Sequence, residues 1–139
     1  MQTILRILER AGGYRPSLYL KIENPPYMAL VIEATPEPGP LGLSGISVAH
    51  YGEQNGDLMR DPEMCFELSK PLLCSPELGA YYWRNDYMGM EQYSRYIDGA
   101  NYVFVPALYE QHQQFAALWD RNLHDQGFIE AFTDKSIRS

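Results

Sequence analysis

Cysteine is scarce in this chain: Cys65 and Cys74 are the only two in 139 residues. They form no CxxC pair, and no Cys/His arrangement has the spacing of a zinc site. Cys65 alternates with strand-type residues and reads as a reduced, packed side chain. A disulfide to Cys74 stays open, and nothing points to an oxidising compartment. Long apolar runs are missing too, so no segment approaches the roughly 20 residues that span a bilayer. The start, MQTILRILERAGG, lacks a basic stretch followed by a long apolar one, so no secretory leader is expected and a cytoplasmic location is. Basic charge is in short supply: 11 Lys and Arg face 18 Asp and Glu, for a formal net charge of −7. With no Lys/Arg run, the chain is ill suited to the phosphate contacts that dominate nucleic-acid binding. There is no Gly-x-Ser-x-Gly elbow, and no Gly-rich loop leads into a helix, which removes two common signatures of nucleophilic and phosphate chemistry.

Tyrosine is plentiful, with 11 copies against 5 Phe and 2 Trp. Its ring packs while its hydroxyl stays wet, which suits half-buried sheet faces and interfaces. A chain of this length is expected to form one domain with a core of its own, spanning residues 1–139. Thr3 is a candidate cap for a short helix with Ile4, Leu5, Ile7, Leu8 and Ala11 as its apolar stripe, ended by Gly12 and Gly13. Leu18–Glu23 and Met28–Glu33 alternate apolar and polar residues around Asn24-Pro25-Pro26 and read as a hairpin. Gly45–Tyr51 and Met64–Leu68 give a second strand pair, and Ala80–Asn85 with Glu91–Ile97 a third. Pro106 suits a first helical turn. Leu108, Phe115, Leu118, Trp119 and Leu123 then recur at helical spacing, and Gly127 takes a left-handed position beyond the end. The segment after 129 is mostly polar and is expected to fray. The fold class that follows is α+β: a largely antiparallel sheet of about six strands, with an N-terminal and a C-terminal helix on one face. Tyr19, Lys21, Tyr51, Glu67, Tyr82 and Arg84 are expected on the other face.

Ionisable residues crowd the stretch between the third and fourth strands, ISVAHYGEQNGDLMRDPEMCFEL. Asn55-Gly56-Asp57 and Asp61-Pro62 both have turn chemistry, which gives them structural duties. His50, Glu53, Asp57, Arg60 and Asp61 remain the candidate site, joined by Arg84, Asn85 and Tyr87 if two long loops, Gly52–Asp61 and Asp86–Gly89, converge on one cleft. His50 falls on the inward face of its strand, where a core imidazole bonded to a backbone carbonyl is the plainer reading. His50, Glu53, Asp57 and Asp61 match neither a helical His pair nor a twelve-residue calcium loop, so no metal and no cofactor is expected. Glu67-Leu68-Ser69-Lys70 is one residue too long for the acid-x-Lys strand motif of restriction-endonuclease-like nucleases. In the second aromatic stretch, Tyr81 and Trp83 are expected to pack inward.

The strings HYGEQNGDLMRDPEMCFEL and YYWRNDYMGMEQ resemble a family of uncharacterised small domains encoded on bacterial plasmids, integrative elements and phages, often beside or within larger DNA-transfer proteins. The resemblance covers the span from about Leu18 to Tyr96. It implies a mobile-element setting in a bacterial cytoplasm and carries no substrate and no catalytic residue. The expectation is therefore an accessory, non-enzymatic protein-interaction module. Its partner would be a protein with a basic surface, such as a host-defence or DNA-processing factor, with neither membrane nor nucleic acid as ligand. The alternative is a small enzyme or ligand-binding domain centred on His50, Asp57, Arg60 and Asp61.

Overall fold

Period-two alternation sets the inner face of each strand. The computed structural model describes residues 1–138. In it Leu20 and Ile22 of β1 (Tyr19–Asn24), Leu30 and Ile32 of β2 (Tyr27–Ala34), Ile46 and Val48 of β3 (Ser44–Gln54), and Met64 and Phe66 of β4 (Asp57–Ser69) are fully buried. Leu78, Ala80 and Trp83 of β5 (Glu77–Asn85) extend this layer, and β6 (Met90–Tyr93) completes the sheet. The six strands pair antiparallel in chain order, a simple meander.

One face is covered by helices. From α1 (Gln2–Arg10) come Ile4, Ile7 and Leu8, and from α2 (Pro106–Asp125) Ala116, Trp119 and Leu123. The short α3 (Phe128–Ala131) adds Phe128. All join one core with the inner sheet residues, each fully buried side chain contributing about 1.5–3 kcal/mol. The chain is thus α+β, with its helices on one side of the sheet and the opposite side free of them.

Several local expectations are corrected. Thr3 does not cap α1; Met1 is the N-cap. The Thr3 amide instead donates to Asp120 Oδ1 at 2.8 Å, cross-linking α1 to α2. In α2 the buried stripe runs His112, Ala116, Trp119, Leu123, and Leu118 is 52% exposed. Gly127 has the expected left-handed φ of 82°, its amide donating to the His124 carbonyl at 3.1 Å. The segment expected to fray is docked instead. Phe132 is buried, Asp134–Ser136 forms a 3₁₀ turn closed by a Thr133–Ser136 capping box, and Ile137 bridges to Leu20. The Arg138 amide donates to the Tyr19 carbonyl at 2.9 Å, so the tail covers the open edge of β1.

The largest departure is at the β3–β4 hairpin. Gly52–Asp61 is not a long loop, because pairing continues as far as Gln54 opposite Asp57. Only Asn55 and Gly56 turn, with φ of 54° and 85°, the positive pair a two-residue hairpin needs. Asp61-Pro62 is not a second turn. Ala49 pairs with Glu63 and Tyr51 with Arg60, so Asp61 and Pro62 together oppose His50 as a bulge inside β4. A bulge is where a strand tolerates a residue with no N–H to give.

Two further changes follow in β5 and β6. Cys65 pairs with Tyr82 and Phe66 with Ala80, which leaves Tyr81 as an extra residue. Tyr81 therefore turns to the outer face, against Thr35 and Cys65, rather than inward. The sixth strand stops at Tyr93. After Ser94 the chain leaves the sheet, and β7 (Arg95–Asp98) pairs with β8 (Asn101–Phe104) as a separate two-stranded ribbon.

Candidate functional site

The bulge in β4 and the tight turn after β5 lie side by side, and their backbones lock together. The Asp86 amide donates to the Arg60 carbonyl at 2.9 Å, and the Arg60 amide donates to Asp86 Oδ2 at 2.8 Å. The two segments, whose convergence the sequence left open, meet here as hydrogen-bonded neighbours.

Side chains on the helix-free face extend this junction into a charge network. Arg60 Nε lies 3.1 Å from Glu63 Oε1, and Arg84 Nε donates to Asp86 Oδ1 at 2.6 Å. Arg84 Nη1 lies 3.7 Å from Glu91 Oε2, which also accepts the Tyr82 hydroxyl at 2.5 Å. Ser47 donates to Glu63 Oε2 at 2.6 Å. Burial pushes the Asp86 carboxyl up, but the Arg60 amide and the Arg84 guanidinium outweigh it and hold the group below the usual 3.8. Glu33 on the same face is raised, by burial first and then by the neighbouring Glu63. Tyr51 is raised for the same two reasons. Cys65 lies beneath this face as a free thiol, pushed up by burial to about 12, and Cys74 is free and exposed. Such a buried thiol is unreactive.

The structure divides the sequence-derived candidates into four places. Arg60 and Arg84 sit in the network just described. Asp61 and Asn85 form a second tier, Asn85 Nδ2 donating to Asp61 Oδ1 at 3.0 Å and Asn85 Oδ1 accepting the Met88 amide at 3.1 Å. His50 faces the core, with its ring 5.6 Å from Trp119 and 5.7 Å from Phe128, and Nδ1 3.1 Å from the Ala29 carbonyl. Burial lowers its pKa, with the backbone carbonyls of Ala29 and Met28 opposing. Glu53 and Asp57 flank the hairpin tip, both exposed. Tyr87 lies against that tip; its hydroxyl donates to the Glu53 carbonyl at 3.5 Å, and a Cβ at Gly52 would meet that hydroxyl at 2.5 Å. His50, Glu53, Asp57 and Asp61 are thus not gathered, and no group of three His, Cys, Asp or Glu among the described residues is arranged to hold a metal ion.

A second polar feature lies at the other end of the sheet and involves Glu67, which the sequence placed on the outer face without a partner. Glu67, expected on an exposed face, is 2% exposed and pairs with buried Arg95 at 2.7 Å. Glu67 Oε2 accepts the amides of Leu41 and Leu43, at 2.8 and 3.2 Å. Arg95 donates to the carbonyls of Ala80 and Gly79, both at 3.0 Å, and its guanidinium stands 5.9 Å from the rings of both Tyr81 and Tyr109. This pair ties the 39–43 loop, β4, β5, β7 and α2 together. A signal for it existed: a glutamate inside the apolar run Met64–Leu68 needs a buried cation. Which cation, 28 positions away, depends on the chain leaving the sheet after Ser94.

The model of one protein family, described as a domain of unknown function (DUF6908), matches residues 2–129. The chain belongs to the DUF6908 family. No curated protein and no solved structure matches it. The DUF6908 match takes in α1, the whole meander, the ribbon and α2, so the charge network and the Glu67–Arg95 junction both lie within the matched span. No helix among the described residues is long and apolar enough to cross a membrane.

Proposed function

We propose that this DUF6908 protein is a non-enzymatic interaction module that engages a protein partner with a basic surface through the helix-free face of its sheet. The observation that carries this reading is the composition and pairing of that face. Glu33, Glu63, Asp86 and Glu91 stand there against Arg60 and Arg84, an acidic excess in line with the net charge of −7. Both oxygens of Glu63 and of Asp86, and Oε2 of Glu91, are already held by guanidinium, hydroxyl or amide donors. A general base needs an oxygen or nitrogen free to take a substrate proton, so this pairing favours recognition over acid–base chemistry. Around the network, Tyr19, Leu58 and Tyr93 are 38%, 71% and 47% exposed, and Tyr51 is half-buried. Tyr and Arg side chains held by a rigid sheet are the usual anchors of protein interfaces.

The setting in this reading is a bacterial mobile element, with the cytoplasm as compartment and a host-defence or DNA-processing protein as partner. It is supported by the resemblance of HYGEQNGDLMRDPEMCFEL and YYWRNDYMGMEQ. The test is capture of partners from bacterial lysate on immobilised protein. Wild type is expected to retain a basic protein at low ionic strength and to release it as salt rises, because exposed charge pairs are screened. Leu58→Asp combined with Glu91→Lys is expected to weaken retention at least about tenfold. Equal retention by this variant rejects the reading.

A further inference from the structure

The β7–β8 ribbon carries a feature that the charge network does not explain. Among the described residues, β8 pairs with β7 and with no other strand, so its far edge is open. The Val105 amide donates to the Ser94 carbonyl at 2.8 Å, and Tyr96 is opposite Val103. Hydrogen-bonded and non-bonded pairs alternate in an antiparallel ladder. The amides and carbonyls of Tyr102 and Phe104 therefore point away from β7, as a short row of unused donors and acceptors.

The same two residues wall a groove of about 450 Å³ whose rim also includes Leu41, Leu43 and Gln113. Leu41 and Leu43 are 59% and 39% exposed, Tyr102 and Phe104 42% and 47%. The buried Glu67–Arg95 pair holds the groove in shape from below, because Glu67 grips the Leu41 and Leu43 amides while Arg95 anchors the start of β7. Gln113 Oε1 accepts the Ala80 amide at 3.2 Å, which fixes the side chain at the groove wall. The charged residues lining the groove are Glu67, Glu77 and Arg95, an acidic excess of one. Glu77 lines it, exposed Glu110 follows Tyr109 on α2, and exposed Lys70 follows Ser69 in the chain. Among the described residues that line it, the one cation, Arg95, is neutralised by Glu67.

We propose that this groove is a strand-addition site for an extended, basic–apolar peptide segment of a partner protein. The segment adds to the β8 edge through the main-chain groups of Tyr102 and Phe104. It places one apolar side chain in the groove against Leu43 and Phe104, and sets Lys or Arg at alternate positions toward Glu77 and Glu110. Main-chain pairing supplies affinity in this mode, and the pocket for alternate side chains supplies specificity. The site is separate from the outer-face network, and the two are tested by different variants.

The probe is a displayed library of random short peptides, panned against folded full-length protein. Enriched clones are expected to alternate apolar residues with Lys or Arg. A synthetic enriched peptide should bind in a fluorescence-anisotropy titration and slow amide exchange at Tyr102 and Phe104. Leu41→Asp and Phe104→Ser, both at exposed positions and checked for an unchanged melting temperature, should each weaken it about tenfold or more. Methylating the peptide nitrogens of one parity should abolish binding, and methylating those of the other parity should not. Leu58→Asp with Glu91→Lys should leave peptide affinity unchanged. The proposal is overturned if no clones enrich, if enriched clones are acidic or helical in pattern, if the groove variants bind as wild type does, or if methylation of either parity is tolerated.

Discussion

His50 and His112 are both withdrawn from water, and each shows what a single residue contributes here. His50 lies among Trp119, Phe128 and the Ala29 carbonyl; His112 is 2% exposed, with Nε2 3.0 Å from Gln92 Oε1. Burial lowers both imidazoles from their ordinary 6.5. As pH falls through 6.5 the unfolded chain takes up protons that the folded protein does not, so stability is lost on acidification until the folded values are reached. The melting temperature is expected to fall from pH 7 to pH 5, and the His50→Gln/His112→Gln double variant should show a shallower slope. The depressed Asp86 adds its own acid loss only as the pH drops through its ordinary 3.8. Arg95 is a third decisive residue. Replacing it by Met leaves Glu67 buried and uncompensated, which should cost about 3–5 kcal/mol in denaturant unfolding. Lys70→Met, at an exposed position, should stay within about 0.5 kcal/mol. The inward aim of His50 was legible from strand alternation. Its separation from Arg60 was not, because the bulge at Asp61-Pro62 changes which residues share a face.

Elements differ in how far their boundaries could be read. Apolar alternation located the centres of β1 to β5, since burial on one side demands it. It missed the outer half of the β3–β4 hairpin, where the ladder runs past the core and both faces are polar or half-exposed. A strand held by its ladder and one turn needs no apolar pattern. The tail was misread for a related reason: its anchors, Phe132, Ser136 and Ile137, are few and spaced irregularly, and only the open edge of β1 gives them a place. Phe132→Ala is expected to cost about 3–5 kcal/mol in thermal or denaturant unfolding. The cost should be smaller if the tail opens locally first, and amide exchange at Arg138 would report that opening. At the end of α2, Gly127→Ala places a Cβ at φ +82° and should destabilise by about 1 kcal/mol.

On the scale of the molecule, the helices close one side of the sheet and leave uncovered the two regions proposed above for contact. One is the acidic, tyrosine-bearing outer face; the other is the ribbon edge held by Glu67 and Arg95. Raising the salt should weaken partner capture by the outer face, since its charges are exposed in part. It should leave the fold itself little changed, because the Glu67–Arg95 pair is buried beyond screening. By itself the sequence determined the α+β class, most inner residues of β1 to β4, the helix ends at Pro106 and Gly127, and the net acidic charge of the chain. These follow from local periodicity, local backbone preference and summed charge. Only the tertiary structure decided that Arg60, Arg84 and Asp86 share a network, that Glu67 meets Arg95, and that the chain leaves the sheet after Ser94. Those outcomes depend on register, on two bulges and on pairs far apart in the chain, and no local rule of spacing carries that information.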